Sequence, residues 1–414
     1  MKVIRYRIYF LQSLNLCARE TNLSFVSLQL IIELRPRLGS ANAFYKTSKP
    51  VENVLITADG HIILNDSSFA WPSEYGQISS ESLHNVTKIP EGGVTFRLRF
   101  KNANFSLLNS GQSLKVQRKF RLPCGIPSST SVENSKCTIF CTSCKNEFKE
   151  IQVKRFLPLP SIDWKDEVQD WFCGCHHPTK KECSLESNRN LHTKGVAPRQ
   201  SDLLYSSGFV RFYYPDQQQR MATTQDSEVK KAEVSCDKCL APLGTFSVGE
   251  KMMHVWHHTV IIMSEKIDKL PLSSCQPSET FLMVIGGICS EHDWIPLKIR
   301  LMNDASHQPK LSLFIWMLEP DLKLLSTDEK SSALGAKSVL KVMFRQEIED
   351  GNFQPEKLQS KKLSAQVDQE LEIPLSVLKA GLETLEMSME WIAPHQRQDS
   401  DFSIGYIDLS PVIQ

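Results

Sequence analysis

Two Cys-x-x-Cys turns, Cys141-Thr-Ser-Cys144 and Cys236-Asp-Lys-Cys239, constrain this chain more than any other feature of its sequence. A tight turn brings the two sulfurs of such a pair to the same side. Two pairs together offer four thiolates, the ligand set of a closed tetrahedral zinc site. If they share one ion, the chain between them becomes a loop whose ends are pinned together. Roughly ninety residues lie between the pairs, more than the usual zinc-ribbon spacing. The competing readings are four unrelated cysteines or a redox pair. A redox pair would sit in a βαβ context, and no such pattern surrounds either turn.

The chain has 414 residues and twelve cysteines, and eight of these lie between Cys137 and Cys239. The apolar content of 41% and charged content of 23% are those of globular chains, and exclude wholesale disorder or a fibrous protein. A formal net charge of +1 provides no sequence-wide basic field, so nucleic acid is not an expected partner. The longest apolar run, Phe281 to Cys289, falls far short of the ~20 residues needed to cross a bilayer, and no membrane association is expected. At the N-terminus Arg5 and Arg7 interrupt what would be the apolar core of a signal peptide. The expectation is a chain of the cytoplasm, and of the nucleus as well, where cysteines bind metal rather than form disulfides.

Three regions differ in texture. Residues 1–125 read as a β-rich region of short apolar runs, Asn53–Ala58, His61–Leu64 and Thr95–Phe100, separated by turn residues. Phe96, Leu98 and Phe100 alternate with Arg97, Arg99 and Lys101, which predicts one buried and one solvated face. Residues 126–245 form a cysteine-rich, zinc-binding region with a predicted helix at Ile162–Phe172 and two polar loops, Glu186–Ser201 and Asp216–Glu233. Residues 246–414 read as an α+β region. Its predicted strands are His258–Met263, Lys298–Met302, Leu311–Leu318, Val339–Phe344 and Phe402–Leu409, with a helix at Leu375–Leu385. The fold class is therefore α+β, predominantly antiparallel, with a structural zinc site built from two distant knuckles.

A second cluster, Cys173-Gly-Cys175-His176-His177 with Cys183 downstream, matches no standard ligand spacing. It is a second metal site, a partner-facing segment, or a surface loop. His254, His257 and His258 would alternate along a strand and could not converge on one ion, so their expected role is structural. No phosphate-binding loop, dinucleotide fingerprint or serine-hydrolase elbow is present.

The run Cys137-Thr-Ile-Phe-Cys141-Thr-Ser-Cys144, then Arg155-Phe-Leu-Pro-Leu-Pro-Ser161, Trp164 and Trp171-Phe-Cys-Gly-Cys-His-His-Pro178, resembles the HECT-like, E2-binding family of E3 ubiquitin ligases. Cys236-Asp-Lys-Cys239 followed by Leu243-Gly244 fits the same pattern. The resemblance implies a ubiquitin-protein transferase whose partners are an E2 conjugating enzyme, ubiquitin and protein substrates, with the E2-binding half in residues 246–414. A HECT-type relay would need an acceptor thiolate. No cysteine follows Cys289, whereas a true HECT domain keeps its acceptor in a C-terminal lobe. The candidates are Cys275, in a polar turn-like context that could be exposed, and Cys289, read as the end of an apolar strand beside Glu291, His292 and Asp293. The alternative from a different class is a non-catalytic, zinc-stabilised binding protein. It would inhibit or escort a partner, a metalloenzyme included, through Trp171–His177.

Overall fold

The computed structural model describes residues 30–35, 38–90, 92–101, 132–159, 198–215, 231–266, 275–291, 297–303, 310–327, 333–349 and 367–408. These residues fold mainly into antiparallel β-structure with two long helices. No helix among them is long and apolar enough to cross a membrane.

The largest element is a ten-stranded sheet organised around one long strand, Lys310–Ser326. One edge of this strand pairs along its length with Gly335–Glu349. Its other edge serves two neighbours in turn: Leu297–Asn303 beside its first half and Leu30–Arg35 beside its last residues. The register slips between Met317 and Leu322, where Pro320 cannot donate to the ladder, and a bulge there lets the strand turn from one neighbour to the other. The sheet continues through Ser40–Tyr45 and Val94–Arg99 to the edge strand Leu83–Lys88 on one side, and through Phe402–Asp408 on the other. Strands from the first 125 residues and from the last part of the chain thus belong to one sheet.

Two helices, Pro277–Glu291 and Leu375–Ser388, cover one face of this sheet. Phe281, Ile285 and Ile288 pack with Val377, Leu378 and Leu385 over Ile299, Leu313 and Val342. The helices approach closely because position 381 is glycine: a β-carbon there would sit 2.4 Å from the Phe281 ring. The run Phe281–Cys289, expected as a strand, is therefore helical. It is buried on nearly every side, so it carries no helical periodicity to read, and run length alone cannot separate the two structures.

The middle of the chain forms a second body. A six-stranded sheet runs in the order Arg155–Pro158, Asp202–Tyr205, Phe209–Tyr213, Met252–Trp256, Pro242–Ser247 and Lys231–Ser235. A three-stranded sheet of Val260–Ser264, Ser135–Cys141 and Glu147–Val153 shares a core with it, in which Ile139, Phe156, Phe212, Phe246, Val255 and Ile262 are buried. Gly244 is required here, since a β-carbon would fall 1.9 Å from the His254 carbonyl oxygen across the ladder.

The described residues are predominantly antiparallel, as expected, and two pairings depart from that pattern. Arg155–Pro158 lies parallel to Asp202–Tyr205, and Leu297–Asn303 lies parallel to Gln369–Ile373. Other predicted elements hold with shifted ends. The helix runs Leu375–Ser388, the final strand Phe402–Asp408, and the strand expected at His258–Met263 runs Val260–Ser264 after a turn at residues 257–259.

Candidate metal centre

The two Cys-x-x-Cys segments form the same hairpin turn twice. Cys141 ends one strand of the three-stranded sheet, and Cys236 directly follows an edge strand of the six-stranded sheet. In the first turn the Cys141 N–H donates to the Asn146 carbonyl at 2.9 Å, and the Lys145 N–H donates back to the Cys141 carbonyl at 2.9 Å. In the second, the Cys236 N–H donates to the Ala241 carbonyl at 2.8 Å, and the Leu240 N–H to the Cys236 carbonyl at 2.8 Å. The residue after each second cysteine is left-handed, Lys145 at φ 60° and Leu240 at φ 61°. Neither is glycine or asparagine, so each turn holds a backbone conformation that its sequence disfavours.

The two turns face each other. Cys141 Sγ lies 3.6 Å from Cys239 Sγ, and Cys144 Sγ lies 3.5 Å from Cys236 Sγ. All four sulfurs fall within 4.8 Å of one another. These separations are far beyond a disulfide bond of about 2.05 Å, and they suit four thiolates around one ion. Cys141 and Cys236 are buried, whereas Cys239 is exposed at the rim. Burial works against ionising Cys236, but the N–H groups of Cys239 and Lys238 and the thiols of Cys144 and Cys239 hold its pKa down to about 7. Thr259 ties the turns together from behind. Its carbonyl accepts from the Thr142 N–H at 3.0 Å, and its hydroxyl donates to the Leu243 carbonyl at 2.7 Å. The four cysteines are the one group of this kind among the described residues that could hold a metal ion.

The other sequence candidates are placed differently. Cys275 is buried, not exposed: the polar residues around it in sequence do not reflect its packing against the core that contains Met283 and Phe212. Cys289 sits near the end of the helix Pro277–Glu291, with its Sγ 3.7 Å from Met317 Sδ. Burial pushes its thiol up to about 12. Of the three histidines only His254 lies on a strand, while His257 and His258 occupy the turn that follows. His257 is fully buried with Nε2 at 2.9 Å from the Ser206 carbonyl, and His258 Nε2 lies 3.0 Å from Ser376 Oγ. Burial lowers both imidazoles to about 4, so they are neutral joints, His257 within the middle body and His258 between it and the helix Leu375–Ser388. Cys173, Cys175, His176, His177 and Cys183, and the helix expected at Ile162–Phe172, lie outside the described residues. Thr259 carries no signal in the sequence, because a clamp made mostly by backbone groups leaves no motif.

Comparison with known proteins places this arrangement in context. The family model described as HECT-like ubiquitin-conjugating enzyme (E2)-binding matches residues 33–404, which takes in both bodies and all four cysteines. The chain belongs to this HECT-like, E2-binding family. A mouse (Mus musculus) protein named as an E3 ubiquitin-protein ligase is 30% identical over 132 residues, which amount to 31% of this chain and 30% of that protein. The match thus spans less than a third of either protein. No solved structure matches the chain.

Proposed function

We propose that this protein is an E3 ubiquitin ligase that holds a ubiquitin-loaded E2 and promotes transfer of ubiquitin to a lysine of a substrate or of itself, without a relay through Cys275 or Cys289. Membership of the E2-binding family over residues 33–404 is the observation that carries the first half. The state of the two thiols supports the second half. A relay needs an accessible thiolate, and nucleophilic cysteines are those whose pKa is lowered. Cys275 is buried, and Cys289 is pushed up to about 12. In direct transfer the lysine Nζ attacks the E2 thioester carbonyl and the C–S bond breaks. The isopeptide C–N bond forms, and the proton lost by the amine returns to the E2 thiol.

In this reading the four cysteines hold one zinc ion with a structural role. A tetrahedron of sulfurs at ~2.3 Å from zinc has edges of about 3.8 Å, close to the 3.5 and 3.6 Å pairs across the two turns. Four thiolates fill every position of such a site, which leaves none for water or substrate. Zinc bound there would supply folding free energy and fix the two sheets against each other. The arrangement requires a reducing compartment such as the cytoplasm or nucleus.

The test is incubation with an activating enzyme, a panel of E2s and ubiquitin, resolved on reducing and non-reducing gels. Self-modification that resists reducing agent is the expected result. A reducible ubiquitin adduct on this chain would replace direct transfer by a covalent relay. Silence across the panel from folded protein would sink the ligase reading in favour of a binding protein that escorts or inhibits its partner.

A further inference from the structure

We propose that the cleft between the uncovered face of the ten-stranded sheet and residues 391–396 binds a carboxylate-bearing peptide, with Arg97 as its anion contact. The cleft measures about 250 Å³ and is built from elements other than the cysteine turns. Its floor is set by strand register. Glu33 stands opposite Asn42, and Asn42 opposite Arg97, so the three side chains share the face that the helices leave uncovered. Its wall is the short segment Trp391 to Gln396. Arg397 Nε donates to the Ile392 carbonyl at 3.0 Å, and Lys46 pairs with Glu390 at 2.5 Å, so the wall is anchored at both ends.

The charges in the cleft favour an anion. Glu33 is the acidic group of its floor, and its carboxylate is already saturated. It accepts from Arg35 Nε at 3.0 Å, Lys341 Nζ at 2.8 Å and the Tyr406 hydroxyl at 2.6 Å. Two cations thus already neutralise that carboxylate, and Arg97 adds a third positive charge to the floor. Arg97 spends one donor on Ser40 Oγ at 3.1 Å, while its Nε is buried and has no partner. A buried donor without an acceptor is costly, and an arriving carboxylate removes that cost with a charge-assisted bond.

The edge strand is shaped toward the same cleft. Leu83–Lys88 carries a register shift between His84 and Thr87, and Asn85 within it is left-handed at φ 50°. The bulge brings both Asn85 and Thr87 to the cleft. Bulges of this kind re-aim side chains and gather beside functional sites. On the opposite wall the Trp391 and Tyr406 rings stack at 6.3 Å between centroids and 22° between planes. The occupant is therefore a carboxylate with an apolar neighbour. A glutamate side chain and a chain terminus share that chemistry.

The experiment uses the full chain with 15N-labelled arginine side chains, the Arg97 Nε–H signal being assigned through Arg97→Lys. Three probes are titrated: Ac-Phe-Glu-NH2, its neutral counterpart Ac-Phe-Gln-NH2, and Ac-Gln-Phe with a free C-terminal carboxylate. The Arg97 signal is expected to move with at least one acidic probe and to stay still with the neutral one. Whichever acidic probe binds tells side chain from chain terminus. Affinity is expected to fall about tenfold in Arg97→Gln, and to weaken as salt rises over roughly 0.05 to 0.5 M. The proposal is overturned if no probe moves the signal, if the neutral probe binds equally well, or if a folded Arg97→Gln binds as tightly as the parent. Should Arg97→Gln fail to fold, the signal in the unmodified protein decides.

Discussion

The two bodies of this molecule solve the same problem by different means. The helix-covered sheet is built on strands of 17 and 15 residues and buries two helices against them. Between its helices and strands the core is a continuous set of apolar side chains, and the hydrophobic effect is its main source of stability. The middle body uses strands of four to seven residues in two small sheets. At the place where those sheets meet, its core gives way to four cysteines, and both turns there sit in left-handed backbone. Long strands with helical cover can stand without an ion. Short strands joined through strained turns are where a metal does most for folding.

The largest predicted effect breaks the molecule along that line. Removing metal with a strong chelator, or replacing Cys236 and Cys239 together with serine, should unfold the middle body. Structural zinc binding in small peptides is worth about 10–16 kcal/mol. Hydrogen exchange should then show lost protection in Ser135–Cys141 and Pro242–Ser247, with protection retained in Gly335–Glu349. Full metal content in the double variant, or equal loss in both bodies, would refute the division of roles.

The converse substitution sharpens it. Phe281→Ala removes a fully buried ring lying against Gly381 and should cost about 3–5 kcal/mol. Metal content should stay unchanged, as measured by elemental analysis beside denaturant unfolding. A smaller effect is expected at Glu33, a carboxylate that the large sheet buries. Burial would raise its pKa, but Lys341, Tyr406 and Arg35 outweigh burial and hold the carboxyl below its ordinary value. A depressed carboxyl stabilises the fold above the unfolded pKa of about 4.3, and that contribution is lost as pH falls through the folded value. Glu33→Gln should therefore cost about 1–3 kcal/mol at neutral pH, and flatten the acid side of the stability profile. An unchanged profile in that variant would remove Glu33 as its source.

What can be read from sequence follows the range of the interactions involved. The four cysteines are legible because a Cys-x-x-Cys turn is local and thiol chemistry is specific. The alternation of Phe96, Leu98 and Phe100 is legible for the same local reason, and all three are buried. The helix at Pro277–Glu291 is not, since burial on nearly every side erases periodicity. The burial of Cys275 and the neutral His257 and His258 joints depend on elements distant in sequence. Both parallel pairings and the cleft over Arg97 likewise join strands far apart in the chain, and no window of sequence contains them.

The smallest predicted effect concerns Cys275 and Cys289, the two candidate acceptor thiols for a covalent relay. Cys275→Ala and Cys289→Ala, singly and together, should leave self-ubiquitination within about twofold of the parent, because neither thiol meets the requirement of an accessible, low-pKa nucleophile. Cys275 belongs to the core of the middle body, and Cys289 packs on the helix-covered sheet against Met317. Each substitution should instead register as a packing loss of about 1 kcal/mol in its own body. The pair therefore probes both halves of the comparison at once. Loss of activity in one single variant, with fold and metal content intact, would identify a nucleophile and make its body the catalytic one. Activity that survives the double substitution excludes these two thiols as acceptors.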